Sequence, residues 1–138
     1  MTKLPGVPLL GVALLAVLTT VAIGCGSSDQ PAYCSNVSSL ESSVGDLKDL
    51  QLESGVLSTL QAGLTAVKDN ADAVVSSAKA DFPDETGALA DSVQSLSSSV
   101  EALPASPTAK QLAPIALEVS STVNAAQALS DATSSACD

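Results

Sequence analysis

Residues 57 to 78 read LSTLQAGLTAVKDNADAVVSSA, and their apolar seam falls at Leu57, Leu60, Leu64, Val67, Ala71, Val74 and Ala78. Steps of three and four place all seven side chains on one stripe of an α-helix, whereas a half-buried strand requires alternation at two. This is a heptad seam. The same spacing recurs on both sides of the stretch. Val37, Leu40, Val44 and Leu47, with Leu50 as an optional end, form an earlier stripe. Leu89, Val93, Leu96, Val100 and Leu103 form a third, and Leu112, Ala116, Val119, Val123, Ala126, Leu129 and Thr133 a fourth. From Cys34 onward the apolar residues of these stripes recur at three and four rather than at two, so the expected class is all-α.

The breaks between stripes fall where helices stop. Gln51 to Gly55 separates the first two, Phe82-Pro83 ends the second because a residue before Pro is pushed out of the α region, and Pro104 ends the third. Ser106-Pro107 reads as an N-cap followed by Pro at the first helical position. Helices are therefore predicted near 35 to 51, 55 to 81, 84 to 103 and 107 to 136, with Pro114 either kinking the last or marking its start. Short connections make consecutive helices antiparallel neighbours, which predicts an antiparallel up-down four-helix bundle over residues 34 to 138.

Composition removes many functions. Among 138 residues there are five Lys, fifteen Asp plus Glu, one Tyr and one Phe, with no His, Arg or Trp. Without His there is no Ser-His or Cys-His pair and no imidazole metal ligand. A body this acidic and lacking Arg offers no basic face to a phosphate backbone, so nucleic acid is excluded as a partner. Two aromatic residues cannot build a stacking platform for bases or sugar rings. Residues 25 to 138 carry 22 Ser, a mediocre helix former, so these helices depend on tertiary packing. The seams are Leu, Val and Ala, which leaves a thin core with little room for a ligand.

The N-terminal region reads as an address. Lys3 and the terminal amine precede an apolar run from Leu9 to Ile23 that is too short for a stable membrane span and suits the apolar part of an export signal. It ends in Ala22-Ile23-Gly24-Cys25 and continues as Gly26-Ser27-Ser28-Asp29-Gln30-Pro31. This resembles the lipobox of bacterial lipoproteins, in which a small residue precedes a Cys that is diacylated before the signal is cut. Ala22 stands where that family usually has Leu. The resemblance implies a signal helix over 1 to 24, lipid on Cys25, a tether over 25 to 33, and a protein anchored at the outer face of the cell membrane. Acyl chains at about 0.8 kcal/mol per buried methylene make such an anchor effectively permanent.

Export places the two remaining thiols, Cys34 and Cys137, where disulfides persist. In an up-down bundle an even number of helices returns the chain to the end at which it began. Four helices thus bring Cys34 and Cys137 together, while three or five would hold them far beyond the roughly 7 Å Cα limit.

The remaining motifs carry little chemistry. Ser76 and Lys79 match the Ser-x-x-Lys pattern of penicillin-binding enzymes, but the companion Ser-Asp-Asn and Lys-Thr-Gly elements are absent. Asp81, Asp84 and Glu85, and separately Asp69 and Asp72, could hold calcium weakly, yet they lack the spacing of a calcium loop and suit helix starts. Asn36-Val37-Ser38 is a glycosylation sequon in form only. The expected function is a non-catalytic envelope lipoprotein serving as a structural or protein-interaction module. It needs no metal or cofactor, and its partners are the membrane through the lipid and an envelope protein or a second copy of itself. The rivals are a carrier of a small apolar ligand beside the Ala-rich fourth stripe and an envelope enzyme using Ser76 and Lys79.

Overall fold

The structure, a computed structural model, describes residues 30 to 53 and 55 to 138. It contains α1 (Tyr33–Lys48), α2 (Leu57–Ala78), α3 (Pro83–Glu101) and α4 (Ala109–Cys137), and no strand among the described residues. Each helix packs on two others: α1 and α3 both touch α2 and α4, while the diagonal pairs do not meet. The result is a ring of four helices around one core. Residues 1 to 29, including the signal segment, the lipobox and most of the tether, lie outside the described residues.

Strict three-four seams fill that core. Buried positions run Val37, Leu40, Val44, Leu47 in α1; Leu60, Leu64, Val67, Ala71, Val74, Ala78 in α2; and Leu89, Val93, Leu96, Val100 in α3. Leu40, Leu60, Leu89, Leu96 and Leu129 are fully buried, each contributing about 1.5–3 kcal/mol relative to exposure. Leu50, Leu57 and Leu103 are only partly buried, packing at the ends of their seams.

The fourth seam corrects the sequence expectation. Its buried members are Leu112, Ile115, Val119, Thr122, Ala126, Leu129 and Thr133, whereas Ala116 is exposed and Val123 only partly buried. The seam steps evenly by three and four through Ile115 and Thr122 because each Thr hydroxyl finds an acceptor within its own helix. Thr122 donates to the Glu118 carbonyl at 2.9 Å and Thr133 to the Ser130 carbonyl at 3.0 Å. Thr86 extends the third seam in the same way, donating to the Phe82 carbonyl at 2.7 Å. A buried hydroxyl so satisfied avoids the desolvation penalty of an unpaired one.

The helix boundaries also shift. α1 begins at Tyr33, one residue inside the expected tether, because Tyr33 is buried there and its ring meets Phe82 edge-on at 5.6 Å. It stops at Lys48 and α2 starts at Leu57, with Gly55 at φ 91° in the connection, a conformation that disfavours other residues. α2 ends at Ala78, whose carbonyl accepts from the Phe82 amide at 2.9 Å, and Pro83 then opens α3. α4 is capped by Thr108 rather than by Ser106. Thr108-Ala109-Lys110-Gln111 forms a capping box, with the Thr108 amide donating to Gln111 Oε1 at 2.9 Å. Pro107 and Leu112, the two positions of a hydrophobic staple around that cap, are both buried. Pro114 does not mark the start of α4: it lies five residues inside, where the Lys110 carbonyl loses its helical donor.

Numbering rises along α1 as it falls along α2. The Asn36 side chain donates to Ser77 Oγ at 3.0 Å, and Asn70 donates to the Ser39 carbonyl at 3.3 Å. Farther along, Gly63 sits so close to α1 that a Cβ there would lie 3.2 Å from Leu47 Cδ1. Between α3 and α4, Ser99 donates to Glu118 Oε1 at 2.8 Å.

Candidate functional site

The first candidate is the end of the bundle where the described chain begins. Cys34 in the first turn of α1 and Cys137 at the last residue of α4 are joined by a disulfide, with their Cα atoms 5.5 Å apart and 103 positions apart in sequence. The Gln30 side chain donates to the Cys137 carbonyl, so the segment entering α1 is tied to the end of α4 as well. Tyr33 of α1 and Phe82 of the α2–α3 connection close the same end. The chain's only two aromatic residues thus meet each other. Sequence reasoning passed over this pair: 49 positions separate the residues, and although Tyr33 stands four before Val37 and Phe82 four before Thr86, the stripes as read from the sequence begin only at Val37 and Leu89.

Ser76 and Lys79 are both exposed near the end of α2, and no hydrogen bond links them among the described residues. The neighbouring Ser77 is the hydroxyl with partners, donating to the Ala73 carbonyl at 2.8 Å and accepting from Asn36. Asn36, the residue of the sequon, is therefore engaged in the α1–α2 contact.

The acidic residues do not converge. Asp84 and Glu85 occupy the first turn of α3 immediately after Pro83, the position that the helix dipole favours for carboxylates. Asp72 accepts from Lys68 at 3.2 Å on the outer face of α2, with both side chains more than half exposed. Such a pair contributes at most about 1 kcal/mol. Among the described residues no three His, Cys, Asp or Glu side chains assemble in the manner of a metal site.

The second candidate is a cleft beside the fourth seam. Glu41, Val44, Gly45 and Lys48 of α1 face Val123, Ala126 and Gln127 of α4 across about 160 Å³ of space. Small residues open it: Ala126 on one wall and Gly45 on the other, where an added Cβ would touch nothing within 4 Å. The cleft communicates with solvent and carries a carboxylate and an ammonium on its rim. Its volume is about half the lower bound of roughly 300 Å³ for drug-sized ligand sites.

A third feature lies between α3 and α4. Glu118 is part-buried with Ser99 on Oε1, while Oε2 is buried without a hydrogen-bond partner. Asp91, Ser92, Ser95 and Ser121 complete this polar groove. Neither Glu118 nor the groove was singled out from the sequence, where one Glu in an Ala- and Ser-rich helix carries no distinguishing pattern.

No helix among the described residues is long and apolar enough to cross a membrane. Comparison with known proteins finds no matching family, no matching curated protein and no matching solved structure.

Proposed function

We propose that this chain is an exported bacterial lipoprotein, held at the outer face of the cell membrane by lipid on Cys25, whose body is a non-catalytic structural or protein-interaction module. The body is read as an up-down-up-down bundle. The falling α1–α2 register, the ring of neighbouring helices and the meeting of the first and last helix ends support that topology.

The observation that carries the reading is the Cys34–Cys137 bond, because a disulfide joining the two ends of a small domain belongs to an oxidising compartment. It agrees with the export signal and lipobox read at Ala22 to Cys25. Cys25 precedes Gln30 by five residues, a reach of at most about 18 Å. A lipid there holds the disulfide end of the bundle toward the membrane and turns the α1–α2 and α3–α4 connections away from it.

The test is mass spectrometry of the protein recovered from membranes. The expected N-terminus is Cys25 carrying acyl chains, with the protein partitioning into detergent, and Cys25→Ser releases it or leaves it unprocessed. Wild-type protein recovered entirely in the aqueous phase with an unmodified Cys25 sinks the anchor. A carrier function has the α1–α4 cleft in its favour, and co-purifying apolar molecules in native mass spectra support it. Covalent labelling of Ser76 by a serine-reactive probe supports an envelope enzyme.

A further inference from the structure

The outward face of α4 differs from the rest of the surface. Glu41 and Asp46 are exposed on α1, Asp69 and Asp72 on α2, and Asp84 and Asp91 on α3. Between Lys110 and Asp131, α4 exposes Ala113, Leu117, Ser120, Ser121, Asn124 and Ala128, none of them charged. Glu118, the one ionisable residue in that span, is part-buried against Ser99. Leu117 is 75% exposed and is the one large apolar side chain so placed among the described residues.

This face is symmetric about the bond between Ser120 and Ser121. Steps of three and four lead outward from it on both sides, so that Leu117 matches Asn124, Ala113 matches Ala128 and Lys110 matches Asp131. Among the described residues Lys110 and Asp131 have no ion-pair partner within the chain. We infer that this face binds a second copy of the chain, α4 against α4 and antiparallel, with Lys110 of each copy facing Asp131 of the other.

Charge selects that occupant and that orientation. Two bodies of the same strong negative charge repel each other on any face lined with carboxylates, and α4 is the helix on which they approach without that opposition. A twofold axis through the middle of the face satisfies both opposite-charge contacts at once, as an isologous interface requires. Parallel pairing would set Lys110 against Lys110 and Asp131 against Asp131. Ala113, Ser120, Ser121 and Ala128 are small enough to let the helices approach closely, and each Leu117 then covers the Asn124 turn of the other copy.

The contact is narrow. Twenty-two residues from Lys110 to Asp131 span about 33 Å at a 1.5 Å rise, and a strip roughly 10 Å wide gives on the order of 330 Å² per copy. That is less than half of the roughly 800 Å² per partner of a standard stable interface, so the dimer is weak, salt-sensitive and populated at high local concentration. The inference stands on the surface of α4 and does not need the anchor.

Cysteine crosslinking of the full chain in cells tests it. Two differently tagged copies, one carrying Ala113→Cys and the other Ala128→Cys, are expected to form a mixed dimer on non-reducing gels. Each variant expressed alone stays close to the level of Ser42→Cys, a control on the exposed face of α1. Peptide mass spectrometry assigns the new bond and verifies that Cys34–Cys137 is intact. Lys110→Asp is expected to lower the mixed-dimer yield by about tenfold, because it turns two weak attractions into repulsions, and adding Asp131→Lys is expected to restore it. A mixed dimer no more abundant than the control, a stronger crosslink in Ala113→Cys alone, or no rescue by the charge swap overturns the inference. Lipid analysis of the same samples reads the anchor separately, so either result stands without the other.

Discussion

Replacing both Cys34 and Cys137 by Ser removes the single covalent tie between α1 and α4 and leaves no unpaired thiol to complicate the result. The bond closes a loop of 103 positions. In the chain-entropy model such a loop restricts the unfolded chain enough to stabilise the fold by about 4.7 kcal/mol. A domain of roughly 105 residues has an unfolding entropy near 0.22 kcal/mol/K at its midpoint, so the full effect corresponds to about 20 °C in Tm. Residual structure in the unfolded chain lowers this, and the expected fall is about 10–20 °C. The assay is thermal unfolding followed by far-ultraviolet circular dichroism, with and without reductant. Wild-type protein should lose the same increment on reduction, and the double variant should not respond to reductant at all. A double variant that melts within about 3 °C of oxidised wild type refutes the argument that this bond spans the full length of one cooperative unit.

Further substitutions at five positions probe the body. Thr122→Val keeps the shape of a side chain with 0% exposure, while the Glu118 carbonyl retains its helical donor; urea unfolding should show a gain of about 0.5–1 kcal/mol, and Thr122→Ala a loss instead. Gly45→Ala and Gly87→Ala place a methyl where nothing lies within 4 Å, so each should raise stability by about 0.5–1 kcal/mol, whereas Gly55→Ala, at φ 91°, should lower it. Pro114→Ala restores the donor to the Lys110 carbonyl and should stabilise by about 1–3 kcal/mol, near the low end because Lys110 is exposed to water; an unchanged urea midpoint counts against a Pro-induced defect in α4.

The helix count was legible because Leu and Val mark three seams without ambiguity, and Pro83 and Pro104 punctuate them. The meeting of Cys34 with Cys137 followed from that count, since only an even number of helices returns the chain to its starting end. The fourth seam was harder for a physical reason. Alanine carries too little apolar area to declare a face, so Ala116 could stand in for Ile115 one position away. Threonine reads as polar in a pattern and yet buries readily when its hydroxyl bonds to the turn before it, which hid Thr86 and Thr122 from the reading. Thr108 lost to Ser106 because both are good caps, and the reciprocal bond from Gln111 that decides between them is visible only when helical geometry brings the two side chains together. The Tyr33–Phe82 contact was hidden for another reason: each residue extends a seam by four, but the period within one helix does not say which residue of another helix it meets.

On the reading proposed above, the position of the disulfide also determines how the body meets a pull from its anchor. Tension along the tether arrives at Gln30 and Tyr33 and reaches Cys34 within the first turn of α1. Without the bond that force would act on α1 alone, peeling Val37, Leu40 and the residues after them from the core one turn at a time, at a cost per step far below that of global unfolding. With it, Cys137 shares the load at once, and α1 cannot leave without α4. α2 and α3 carry no such tie, and on this reading the tether does not pull on them directly. A core built from Leu, Val, Ala and internally satisfied Thr is thin, and its weakest direction is the sequential loss of a terminal helix. The covalent link stands across that direction, at the end of the ring where α1 begins and α4 ends.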